Sequence, residues 1–238
     1  MSRIGTVLWS SVGKKILTGL TGLALIAFLL VHLLGNLTIY MGPDALNGYA
    51  AFLESIFDGW FVKLFEVSLI LLFLVHIVPA VWVAWIDKLQ ARPVKRYEKN
   101  KNAGGKSRKT FSSTTMIFTG IAIVLFIIGH VWKFKFSVPH PEHGGHADYY
   151  KVVFDAFKNP AIAGAYVLVM VIIGLHLRHG FWSAFQSLGW ANDRWIGFLY
   201  AMGLIFAVLL AFAFIMLPIY IYFFADAPLA AHASLGGL

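Results

Sequence analysis

Five stretches of this chain, at about residues 16–40, 61–86, 114–134, 160–183 and 195–224, are apolar over a length that can span a bilayer. A helix needs roughly 20 mostly apolar residues to cross about 30 Å of hydrocarbon. In lipid, every backbone N–H and C=O must be satisfied within the segment, so such runs fold as helices. The expected fold is therefore an all-α integral membrane protein, a bundle of five transmembrane helices. Composition agrees: charged residues are 13% of the 238 and the mean hydropathy is +0.76. We expect a single transmembrane domain over 1–238, with a short C-terminal tail from 225. Arg3, Lys14 and Lys15 precede the first run as in a signal peptide, but the run is too long for an h-region and no small-residue cleavage site follows. It reads as a retained helix.

The connections set the expected orientation. The 41–60 connection carries Asp44, Glu54 and Asp58 with no Lys or Arg. The 87–113 connection carries Lys88, Arg92, Lys95, Arg96, Lys99, Lys101, Lys106, Arg108 and Lys109. The basic connection belongs in the cytoplasm, so the N-terminus is expected inside and the C-terminus outside, in the cytoplasmic (inner) membrane. Lys133, Lys135, Lys151 and Lys158 around the outer 135–159 connection weaken this asymmetry without reversing it. The net charge of +8 is concentrated in one inner loop, which reads as a solvated loop or, more sharply, as a docking surface for a soluble subunit or anionic lipid heads, rather than as a nucleic-acid footprint. With no cysteine in the chain, disulfides, zinc–thiolate sites and iron–sulfur ligation by this polypeptide are excluded.

Four of the five runs contain a histidine: His32, His76, His130 and His176. Ionisable side chains inside a membrane are rare and mark functional sites with nearby partners. Depth sorts the four into pairs. At 1.5 Å per residue, His32 lies about 25 Å and His130 about 28 Å from the inner face, while His76 and His176 both lie about 16 Å from it. An outer pair and an inner pair of neutral imidazoles on separate helices suit two haems, whose iron takes two axial ligands. Glycines beside them (Gly19, Gly22, Gly35, Gly129, Gly174, Gly180) leave room for a flat macrocycle, and serve equally as close helix contacts.

His179 competes with His176, since three residues apart they lie near the same helical face, and spacing alone does not choose. A propionate or a quinone oxygen is a second role for His179. Arg178 is a candidate propionate partner, or a side chain that snorkels to the inner interface. His140, His143 and His146 lie in a Pro- and Gly-containing outer stretch that reads as a solvated loop. Glu66, one turn into the second span, reads as a boundary acid with a proton-transfer role as the sharper option. Asp226 receives no role.

The runs Ser10-Ser11-Val12-Gly13-Lys14-Lys15, Thr18-Gly19-Leu20-Thr21-Gly22 and His32-Leu33-Leu34-Gly35-Asn36-Leu37 resemble the start of one family. That family is the single-polypeptide, di-haem cytochrome b membrane anchor of succinate:quinone oxidoreductases and quinol:fumarate reductases. The run from His176-Leu177-Arg178-His179-Gly180-Phe181-Trp182 to Gly189 resembles its later-helix motif, and Ser112-Ser113 through Gly120 to His130 fits its third span. The resemblance covers about residues 8–224. It implies two haems b, the distal one on His32 and His130 and the proximal one on His76 and His176. The ligand standing 13 residues before the motif glycine, here Gly189, selects His176 over His179. It further implies a flavoprotein and an iron–sulfur subunit on the cytoplasmic face and a membrane quinone, menaquinone, as substrate. On that reading the chain is part of an enzyme of the respiratory chain and tricarboxylic acid cycle without itself binding dicarboxylate.

Two other classes fit less of the sequence. A di-haem anchor of another redox complex also uses histidines on several helices, but the His32–Asn36 and Gly180–Gln186 runs argue against it. A cofactor-free proton relay uses near-neutral histidines spaced continuously through the membrane, whereas here they occupy two levels.

Overall fold

The computed structural model describes residues 3–87, 110–139 and 147–225. The basic loop residues Lys88–Lys109, His140, His143, His146 and Asp226 lie outside the described residues. The described chain is all-α. A short helix α1 (Arg3–Leu8) leads into α2 (Ser11–Leu37), α3 (Pro43–Ser55), α4 (Trp60–Val81), α5 (Phe111–Val131), α6 (Tyr149–Phe157), α7 (Pro160–Ser187) and α8 (Ile196–Phe223). Five of its helical segments are long and apolar enough to cross a membrane: Ser11–Met41, Pro43–Asp87, Phe111–Phe136, Pro160–Ser187 and Ile196–Phe223. They match the five expected spans.

Helix starts follow local chemistry. The Ser10 hydroxyl accepts from Gly13 N at 3.0 Å, and Thr110 and Ser113 exchange side-chain and backbone bonds in a capping box. Asn159 accepts from Ala161 N and Ile162 N ahead of Pro160. Two spans continue into π-helical turns, Trp82–Asp87 after α4 and Trp132–Phe136 after α5.

The tightest packing is between α7 and α8, where small residues let backbones approach: a Cβ on Gly174 would stand 3.1 Å from the Ala211 Cβ. Buried Ile173, Leu177, Ala207, Leu210, Leu217 and Ile221 fill this seam. By contrast, α4 packs mainly on α2, and α5 mainly on α7. The outward side of α4 presents Leu64, Val67, Ile70, Leu71, Leu74 and Val78, a surface suited to lipid.

The two ends of the bundle differ. At one end, start of α2 and end of the second span meet: Lys14, only 3% exposed, pairs through Nζ with Asp87 Oδ1 at 2.7 Å and lies against the rings of Trp9 and Trp82. At the other end, the connections expected from the sequence to be loops contain helices. There α3 and α6 form a cap, joined by Asn47 Nδ2 donating to Asp148 Oδ1 (2.9 Å) and Tyr150 N donating to Asn47 Oδ1 (3.0 Å). Lys158 Nζ donates to the Ala225 carbonyl at 2.8 Å and closes the end of α8. Between α3 and α4 the chain reverses through Phe57, Asp58 and Gly59, all at positive φ. Glu66 pairs with Lys135, tying α4 to the end of the third span.

Tyr149 closes the cap by donating to Glu54 Oε1 at 2.9 Å. Burial, and then the Glu54 carboxylate, push its phenol up to about 12 from its usual 10. The folded cap holds this proton more tightly than an unfolded chain does. Its contribution is therefore complete below pH 10 and is lost as pH rises toward 12. Amide exchange across 43–55 and 149–157 should accelerate over that range, and Tyr149→Phe should remove this pH dependence.

Candidate functional site

The histidines expected to pair by depth approach one another. The rings of His32 on α2 and His130 on α5 have centroids 5.9 Å apart, nearly perpendicular at 85°. His76 on α4 and His176 on α7 are within electrostatic range of each other. Neither α2 with α5 nor α4 with α7 packs extensively face to face. The His32 and His130 rings thus meet from helices that do not pack extensively on each other.

Three of the four histidines have a ring nitrogen held by protein groups. His76 Nδ1 lies 3.1 Å from the Thr18 carbonyl and 3.2 Å from Thr21 Oγ1. A carbonyl can only accept, so His76 carries its proton on Nδ1 and leaves the Nε2 lone pair free. His176 Nδ1 lies 3.1 Å from Thr119 Oγ1. The Thr119 hydroxyl also reaches the Met116 and Thr115 carbonyls at 3.0 and 3.2 Å; with its proton on either, it accepts from His176 Nδ1–H and leaves Nε2 free. His130 Nδ1 lies 3.1 Å from the Tyr166 hydroxyl. His32 is held by rings instead, stacked on Phe28 at 5.4 Å and beside Phe214 at 6.0 Å.

This arrangement fits haem. Two imidazoles on opposite sides of one metal, each bonded at about 2 Å, have ring centres about 6 Å apart. Ligating histidines characteristically give their other N–H to a protein acceptor, which fixes the ring and raises its basicity. Among the described residues, no three His, Asp or Glu side chains converge on one point. A porphyrin iron needs only two axial side chains from the protein, and pairs are what the bundle presents.

Space near the inner pair is kept by glycine. A Cβ on Gly22 would stand 3.1 Å from His76 Cε1, while one on Gly120 would meet His176 Cε1 at 3.7 Å. His179 does not share the bonding of His176: its Nδ1 is buried with no hydrogen-bond partner, and its ring meets Trp182 edge-on at 5.2 Å. Arg178 donates through Nη1 to Ser112 Oγ at 3.2 Å, joining α7 to the start of α5. Glu66, an open proton-transfer candidate in the sequence, is engaged by Lys135. Thr18, Thr21, Thr119 and Tyr166 are partners of the histidines that the sequence does not single out. The Thr18–Gly22 run was visible as a motif, whereas Thr119 and Tyr166 carried no local signal.

Over 157 residues, the sequence is 25% identical to the succinate dehydrogenase cytochrome b558 subunit of Bacillus subtilis (strain 168), covering 66% of this chain and 69% of that protein. This chain is similar to a succinate dehydrogenase cytochrome b subunit. No protein-family model and no solved structure matches it. The likeness supports a cytochrome b membrane subunit of that enzyme, in line with the five apolar helices.

The glycine spacing gives a direct test at the inner pair. Gly22→Ala should push the His76 ring aside and shift the α-band of a haem held there. Gly120→Ala, at ordinary van der Waals distance, should leave the band in place. Low-temperature difference spectra distinguish the two.

Proposed function

We propose that this chain is the membrane-anchor cytochrome b subunit of a succinate dehydrogenase/fumarate reductase complex, binding two haems b. His32 and His130 ligate the outer haem, and His76 and His176 the inner one. When bound, the haems supply one-electron transfer between an iron–sulfur subunit and a membrane quinone, menaquinone. The observation that carries this reading is the approach of two imidazoles from helices that do not pack extensively on each other, His32 to His130 at 5.9 Å. The likeness to a cytochrome b558 subunit supports it independently.

The chain's own residues have distinct tasks in this account. The Thr18 carbonyl and the Thr119 hydroxyl keep the inner histidines as Nδ1–H tautomers, so each presents an Nε2 lone pair inward. Phe28, Phe126, Phe134 and Phe214 enclose the outer pair in aromatic surface. Arg178 and His179, about one turn further toward the inner face than His176, offer a guanidinium and an imidazole to a propionate or a quinone oxygen. The basic 87–113 connection faces the cytoplasm, where the iron–sulfur and flavoprotein subunits dock. In this arrangement the N-terminus is inside, the C-terminus outside, and the dicarboxylate chemistry belongs to the flavoprotein.

Single substitutions separate the two sites. His32→Ala or His130→Ala should remove the outer haem and retain the inner one. His76→Ala or His176→Ala should do the reverse, and His179→Ala should keep both. Reduced-minus-oxidised spectra of the complex report each case. Retention of both haems in all four ligand variants overturns the assignment. Loss of a haem in His179→Ala with both kept in His176→Ala transfers the ligand role to His179.

A further inference from the structure

We propose that Thr119 and Tyr166 are positioning residues, each orienting the ligand of one haem from a helix that ligates the other. The inference rests on the paired-haem reading and deepens it. On α5, Thr119 holds His176 of the inner pair, and His130, 11 residues or about 16 Å further along, belongs to the outer pair. On α7 the order is complementary: Tyr166 holds His130 of the outer pair, and His176, about 15 Å further along, belongs to the inner pair. The same crossing occurs on α2, where the Thr18 carbonyl holds His76 and the helix later supplies His32. Three helices thus each serve both levels.

Both side chains are themselves fixed. Thr119 Oγ1 is anchored on its own helix by the Met116 and Thr115 carbonyls, and a proton given to either aims its oxygen at His176 as an acceptor. Tyr166 stands among Phe126, Phe134 and Phe157 at ring distances of 5.0, 5.9 and 4.9 Å, which leaves its hydroxyl little freedom. With Nε2 given to iron, His130 carries its proton on Nδ1 and donates to the Tyr166 oxygen. An acceptor at Nδ1 makes an imidazole a stronger donor to iron and sets the plane of its ring. Hydrogen bonding around the ligands in turn tunes the haem potential. Loss of either acceptor therefore shifts the potential of one haem upward and alters its low-spin signal.

The test is a redox titration of the purified complex, followed optically and by EPR, with each haem assigned through the histidine variants. Thr119→Val should raise the midpoint potential and move the EPR g-values of the inner haem alone, and Thr119→Ser should restore both. Tyr166→Phe should do the same to the outer haem alone. If Thr119→Val loses the inner haem, its retention in Thr119→Ser supports the proposal, and its loss there overturns it. Wild-type potentials and g-values in both Thr119→Val and Tyr166→Phe, with both haems present, overturn the proposal and leave the paired-haem reading standing. Absence of haem b from the wild-type complex overturns both.

Discussion

A neutral imidazole has one N–H donor and one lone pair, and in hydrocarbon water is not available to either. The bundle depends on how these groups are satisfied. For His76, His176 and His130 the Nδ1 side is met by the Thr18 carbonyl, the Thr119 hydroxyl and the Tyr166 hydroxyl, at 3.1 Å in each case. In the proposed reading, the other nitrogen is the one that ligates iron. An unmet polar group in this setting costs several kcal/mol, so the Thr18, Thr119 and Tyr166 contacts are part of what lets these imidazoles sit among apolar helices. In the haem reading, every lone pair acquires its iron bond.

The same requirement explains the uneven packing. Helices α7 and α8 are sealed together by glycine, alanine and leucine, but α4 and α5 each attach mainly to one neighbour. The histidines of each pair sit on helices that do not pack extensively on each other. Polar ties close the bundle at its ends instead: buried Lys14 with Asp87 at one end, and the Asn47–Asp148 and Tyr149–Glu54 contacts of the α3–α6 cap at the other. The ends of the bundle thus carry polar ties of their own.

Much of this was legible in the sequence because the bilayer fixes lengths. The five spans emerge within a few residues of the observed helices, and the regular 1.5 Å rise places His32 level with His130 before any contact is known. The cap helices lie in stretches that read as plain connections, although Pro43 with Asp44 and the Asp148 N-cap ahead of Tyr149 are helix signals. Lys14 read as a flanking charge, yet it is buried between two tryptophans. The hydrogen bonds of Thr119 and Tyr166 could not be read at all. They depend on how each helix is rotated about its axis, and helices that are apolar nearly all round give no periodicity from which to derive rotation. Side-chain chemistry was therefore visible one helix at a time, and cross-helix pairing only in depth.

The measurement closest to the central claim is the amount of haem b per copy of this polypeptide in the purified complex, by pyridine haemochrome absorbance against quantified protein. Two paired bis-histidine sites require a ratio near two. A ratio near zero in folded complex contradicts the account, and a ratio near one contradicts the pairing of all four histidines.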